Sequence, residues 1–148
     1  MTLVYIDLPD ELATQGLGQR LARHLQPGDA LCLSGPLGAG KSTLARALIR
    51  ALTHPDEEVP SPTFTLVQTY DGPFGIAHFD LYRLSSPEEI HELGLDEALD
   101  DGVALIEWPE RLGSSWPIDR LDIVLQVAEK GGRLAVLTGH GRWKDRTF

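Results

Sequence analysis

The chain has 148 residues, of which 42% are hydrophobic, and carries 22 acidic against 13 basic side chains for a formal net charge of −9. That length suits one domain with a real core, and the negative charge disfavours strong, direct binding of RNA or DNA by this chain alone. A lone cysteine, Cys32, excludes an intrachain disulfide framework and favours a reduced, cytoplasmic setting.

The segment Met1 to Asp7 lacks a basic region followed by a long apolar core, and no apolar run approaches the ~20 residues of a membrane span, so a soluble, unexported protein is expected. Residues 3 to 7 read as a strand. Asp10 then reads as the N-cap of a helix running to about Leu25, with Ala13, Leu17, Leu21 and Leu25 as its apolar stripe. Pro27-Gly28-Asp29 marks a turn. The run from Asp29 to Ser34 reads as a short buried strand, which makes Cys32 a core thiol rather than a reactive one.

Directly after that strand, Gly35-Pro36-Leu37-Gly38-Ala39-Gly40-Lys41-Ser42 contains the full G-x-x-x-x-G-K-S phosphate-binding pattern. Its glycines allow backbone N–H groups to turn towards phosphates, Lys41 can reach the β and γ groups, and the Ser42 hydroxyl can ligate magnesium. The helix that follows, with Leu44, Leu48 and Leu52 at four-residue spacing, adds the positive field of its N-terminus. The four fixed letters alone would arise by chance in on the order of one chain in a few hundred. The strand before and the helix after supply the context that a nucleoside triphosphate site requires.

Thr53 to Pro62 is polar and proline-rich, hence a loop. Thr63 to Tyr70 and Phe74 to Leu81 flank the Asp71-Gly72-Pro73 turn and read as a hairpin. Ser86 with Pro87, Glu88 and Glu89 has the arrangement of a capping box at a helix start. Asp96 to Asp101 reads as an acidic loop with at most a short helical turn. Val103 to Ile106 is a continuous apolar run, as in a strand buried on both faces. Leu121 to Val127 and Arg133 to Leu137 read as strands joined across Lys130-Gly131-Gly132. This order implies an α/β, three-layer P-loop fold with a mixed, mainly parallel sheet, as one domain over 1–148. Arg133, His140, Arg142, Lys144 and Arg146 form the only dense basic stretch. Over about 139–148 it reads either as a solvated, mobile tail or as a partner contact.

A phosphate loop needs a magnesium-positioning carboxylate at the end of a neighbouring strand. Glu107 is the better placed, as the first charge after four apolar residues, with a solvated strand-end acid as its ordinary alternative. Asp80 either binds water in the magnesium shell, orients the attacking water, or pairs with Arg83. Thr63, in the loop where nucleotide switches fold over a γ-phosphate, either offers its hydroxyl to the metal or simply begins a strand. His78 reads as a satisfied core histidine, and Trp108 either packs in the core or walls the phosphate site. The histidines show no zinc spacing. The chain contains no asparagine and no D-x-x-G after the loop, so a guanine-reading switch is excluded and ATP is the expected nucleotide.

Taken together, the phosphate loop, Ser61-Pro62-Thr63-Phe64-Thr65-Leu66-Val67, His78-Phe79-Asp80-Leu81-Tyr82-Arg83-Leu84 and Glu107-Trp108-Pro109-Glu110 resemble the TsaE (YjeE) family, in order and spacing, from Pro9 to Arg133. The resemblance implies a small bacterial P-loop ATPase needed to make threonylcarbamoyladenosine beside the anticodon of tRNAs that read codons starting with A. It further implies slow hydrolysis in isolation and a partner heterodimer of a TsaD-type transferase with its inactive TsaB-type paralogue. That pair would hold the tRNA, so this chain would meet it only indirectly. Carried onto this sequence, Leu37, Gly38, Ala39, Gly40, Lys41 and Ser42 would bind the phosphates, and Ser42 with Glu107 would hold Mg2+. Lys41, Asp80 and Glu107 would be the catalytic set, with Thr63 near the γ-phosphate, Trp108 supporting the site, and Glu11 and Gly132 bordering the nucleotide. Pro36 stands where the family commonly has Asp, and Ser42 where Thr is more frequent. A small-molecule kinase is the alternative, disfavoured by the lack of a lid segment with paired arginines. A non-hydrolysing nucleotide switch is a third reading.

Overall fold

The computed structural model describes residues 3–148, so Met1 and Thr2 of the opening segment lie outside the described residues. Seven strands form one sheet: β1 (Leu3–Leu8), β2 (Ala30–Ser34), β3 (Val67–Asp71), β4 (Gly75–Asp80), β5 (Gly102–Glu107), β6 (Arg120–Val127) and β7 (Arg133–His140). Their spatial order is β1-β7-β6-β2-β5-β4-β3. Parallel pairing is confined to the four central strands, β6, β2, β5 and β4. The hairpins β3–β4 and β6–β7 and the edge strand β1 pair antiparallel, so the mixed sheet has as many antiparallel as parallel pairings.

Alternation along the central strands divides the core in two. Leu31 and Leu33 of β2, with Val103 and Leu105 of β5, face α1 (Glu11–Ala22) and α2 (Lys41–Leu52), against Leu17, Leu21, Leu44, Leu48 and Ile49. Ala30 and Cys32 with Ala104 and Ile106 face the other way, towards α3 (Glu89–Glu92) and α4 (Leu95–Asp101), where Phe79, Ile90, Leu95 and Leu112 pack. Those are the three expected layers. Burial pushes the Cys32 thiol pKa well above its ordinary value, as befits a core cysteine.

The expected local signals act where they were read. The Asp10 carboxylate accepts a hydrogen bond from the Ala13 N–H at 2.8 Å and caps α1, which ends at Ala22, three residues before Leu25. Half of the capping box forms, with Glu89 accepting from the Ser86 N–H at 3.0 Å, and only the four-residue α3 follows. Three expectations are corrected. The acidic run 96–101 is helical rather than loop: Gly94, in the left-handed region, precedes α4, and Leu95 anchors it in the core. Residues 63 to 66 are a turn rather than strand, with the Leu66 N–H bonded to the Pro62 carbonyl at 2.7 Å.

The third correction concerns the basic stretch, which is partly exposed but not loose. Residues Gly141–Asp145 form a 3-10 turn that buries Trp143 at 1% exposure. Arg142 Nη2 and Arg146 Nη1 each donate to one oxygen of the fully buried Asp29 carboxylate, at 2.9 and 2.6 Å. Two of the basic residues read as a free tail, Arg142 and Arg146, are thus the counter-charges of a core aspartate.

Candidate nucleotide site

Parallel pairing brings the C-terminal ends of β2, β4 and β5 together at one edge of the sheet, the place where open α/β folds bind ligands. The phosphate loop leaves β2 there. Asp80 is the last residue of β4, Glu107 the last of β5, and the two stand opposite each other in register. The loop turns because glycine allows it. Gly35 has φ +138°, and a Cβ on it would lie 2.4 Å from the Leu125 carbonyl oxygen of β6, so no other residue fits without displacing backbone.

A cavity of about 600 Å³ opens over this edge. Of the residues expected at the site, Glu11, Leu37, Gly38, Gly40, Lys41, Ser42, Asp80, Glu107 and Gly132 all line it, as do Thr63 and Trp108. Ala39 does not: its methyl is buried under the loop, and its N–H bonds to the Pro36 carbonyl at 3.2 Å. Gly132 forms part of the wall because Leu8 and Pro9 press on it. A Cβ there would lie within 3.0 Å of the Leu8 and Pro9 backbone.

Lys41, the first residue of α2, is buried and donates to the Gly35 carbonyl at 2.6 Å while its ammonium lies 3.7 Å from the Trp108 ring centroid. Burial lowers the ammonium pKa below the usual lysine value, against the opposing pull of Glu107, Glu110 and Asp80. Trp108 therefore serves as a wall of the site, and it holds an uncommon backbone for its bulk, with φ +58°. Leu66, at φ +69°, is the second such residue, and its carbonyl accepts the Asp80 N–H at 2.9 Å. Both outliers thus border an acid of the site, where strained backbone concentrates.

Each acid has its own support. Asp80 accepts from the Thr63 hydroxyl at 3.0 Å and the Tyr82 N–H at 3.1 Å, and the Thr63 and Ser61 hydroxyls are 2.6 Å apart. Arg83 lies over the Phe64 ring at 4.6 Å, so the hydroxyl of Thr63, and not an Arg83 ion pair, is the partner of Asp80. Glu107 is buried rather than solvated, and its Oε2 lies 2.6 Å from His78 Nε2. His78 is a core residue but not a satisfied one, since its Nδ1 is buried without a partner.

Sequence reasoning missed Arg133 as a site residue. Its guanidinium donates to the Gly38 carbonyl through Nε at 3.2 Å and Nη2 at 2.8 Å, bracing the loop from β7. The only hint was its place directly after a glycine pair that borders the same cavity.

Among the described residues no group of three or more His, Cys, Asp or Glu is placed to hold a metal. The oxygen donors present, the exposed Ser42 hydroxyl at the start of α2 and the Glu107 carboxylate, suit magnesium. That ion typically takes one or two protein oxygens and completes its shell with water and phosphate.

The sheet order and this loop-lined cavity define a phosphate-loop nucleotide-binding protein. Comparison with known proteins narrows the class. Residues 8–135 match the family model described as threonylcarbamoyl adenosine biosynthesis protein TsaE. The tRNA threonylcarbamoyladenosine biosynthesis protein TsaE of Rickettsia conorii is 41% identical over 135 residues, covering 90% of this chain and 77% of that one. Its namesake from Bacillus subtilis is 37% identical over 135 residues, covering 90% and 82%. The crystal structure of Bacillus subtilis YdiB superposes with a TM-score of 0.79 at 30% identity, covering 95% of this chain and 87% of that chain. The chain belongs to the TsaE family of threonylcarbamoyladenosine biosynthesis proteins.

Proposed function

We propose that the protein is a magnesium-dependent ATPase that works with a TsaB–TsaD-type heterodimer in making threonylcarbamoyladenosine on tRNA in the cytoplasm. The observation that carries the ATPase reading is the convergence on one cavity of the phosphate loop with its Lys41, Thr63, Asp80 and Glu107, from four separate segments of the chain. Membership of the family supports the link to tRNA. Among the described residues no helix is long and apolar enough to cross a membrane.

In this reading the loop N–H groups of Leu37, Gly38, Gly40, Lys41 and Ser42 and the N-terminus of α2 bind the phosphates, with Ala39 shaping the loop from beneath. Lys41 exchanges the Gly35 carbonyl for a phosphate oxygen, a stronger, charge-assisted partner. Ser42 and Glu107 would hold the metal, whose role when bound is to neutralise charge between the β- and γ-phosphates. Asp80, steadied by Thr63 and Tyr82, is the carboxylate placed to orient an attacking water. Glu11 and Gly132, which line the same cavity, would border the nucleotide.

The partner reading rests on the family together with exposed apolar side chains beside the site, Leu37 at 79% and Phe64 at 81% exposure. Incubation with ATP and magnesium separates ATPase from kinase. Free phosphate released without any acceptor is the expected result. Release only into an added nucleoside or sugar contradicts the proposal in favour of a small-molecule kinase.

A further inference from the structure

His78 is assigned no part by the nucleotide site as described so far, yet it touches that site's buried acid. Its position follows from sheet geometry. In register, His78 of β4 stands opposite Leu105 of β5, and Glu107 lies two residues further along β5 on the same face. The imidazole therefore sits diagonally beneath the carboxylate, with Phe79 turned to the opposite core. Both side chains are buried, at 3% and 5% exposure, and the Nε2 to Oε2 distance is 2.6 Å.

We infer that His78 is a positioning residue for the magnesium site: its Nε2–H donates to Glu107 Oε2, fixes the carboxylate plane, and leaves Oε1 directed to the metal. This rests on the proposal that Glu107 serves magnesium. A carboxylate only accepts, so the pair requires the proton on Nε2. In the neutral ring Nδ1 then carries a lone pair alone, and that is the nitrogen without a partner. The opposite tautomer would bury an unpaired N–H and set two acceptors against each other, a worse arrangement on both counts. A buried carboxylate with no donor would turn towards any cation in reach, and Lys41 already lies among its neighbours. Held by His78, it keeps one orientation whether or not the nucleotide is present. The neighbouring acid follows the same plan with a different donor, Thr63 on Asp80.

The test is equilibrium binding of a fluorescent, non-hydrolysable ATP analogue to the full chain, titrated with magnesium and repeated in chelator, for wild type, H78L, H78Q and H78N. H78L removes the donor. H78Q places an amide N–H near the position of Nε2, whereas the amide of H78N ends one bond short of Glu107. The expected result is a rise in the half-saturating magnesium concentration of about 10-fold to 100-fold for H78L and H78N, recovery in H78Q, and unchanged analogue affinity in chelator for all. Should H78L fail to fold, H78Q against H78N decides on the same criterion. Wild-type magnesium dependence in H78L or H78N overturns the inference, as does equal impairment of H78Q and H78N. A wild-type protein indifferent to magnesium overturns the metal reading of Glu107 itself, and the inference with it.

Discussion

Lys41 joins three parts of the site, reaching the loop carbonyl of Gly35, the Trp108 ring and the field of Glu107 and Asp80 from a buried position. In the proposed function such a cation, held dry beside the reacting phosphates, does more than a surface lysine could. K41A should lower ATP turnover by about 10²-fold to 10³-fold or more. E107Q keeps a side chain of the same shape and should weaken the magnesium-dependent part of nucleotide binding by at least about tenfold. Phosphate release and analogue binding check the two, and near-normal values in both variants reject this site. These residues were legible because their chemistry lies in local spacing: a loop between strand and helix, and acids that end apolar runs. The His78–Glu107 and Arg133–Gly38 contacts were not, since each depends on pairing between strands or loops far apart in the chain.

Among the elements, the 3-10 turn over Gly141–Asp145 shows how a charged segment can belong to the core. Asp29 ends the Pro27-Gly28-Asp29 turn at 0% exposure and also accepts the Gln26 N–H at 2.8 Å, so the turn before β2 and the segment after β7 share one carboxylate. Replacing both Arg142 and Arg146 by Ala leaves that carboxylate with the Gln26 amide alone. The expected loss of stability is about 3–5 kcal/mol, read as a lower urea midpoint at unchanged slope; a loss below about 1 kcal/mol contradicts the pairing. Local reading missed this because a turn signal and a basic run are each ordinary, and their charges meet only in the fold. It also missed α4, where acidic residues hide a single buried anchor, Leu95. The edge and hairpin strands β1, β4, β6 and β7 were legible too, but β2 and β5 most directly, because they are buried on both faces and composition alone reports that environment.

At the scale of the whole molecule, the net charge of −9 and the engagement of basic groups go together. Arg142 and Arg146 serve Asp29, Arg120 serves Asp122, and Arg133 serves the loop carbonyl of Gly38. That arrangement suits a component that meets tRNA through partners rather than by an electrostatic face of its own. In the proposed function the nucleotide site is assembled but slow, and is completed when another chain covers its exposed rim. The decisive measurement is the rate of phosphate release from ATP and magnesium by the wild-type chain, alone and with a saturating TsaB–TsaD heterodimer, with K41A as the control. The account predicts slow hydrolysis alone, an acceleration on adding the heterodimer of up to about 10³-fold to 10⁵-fold, and neither with K41A. A rate that is the same with and without the heterodimer would contradict it.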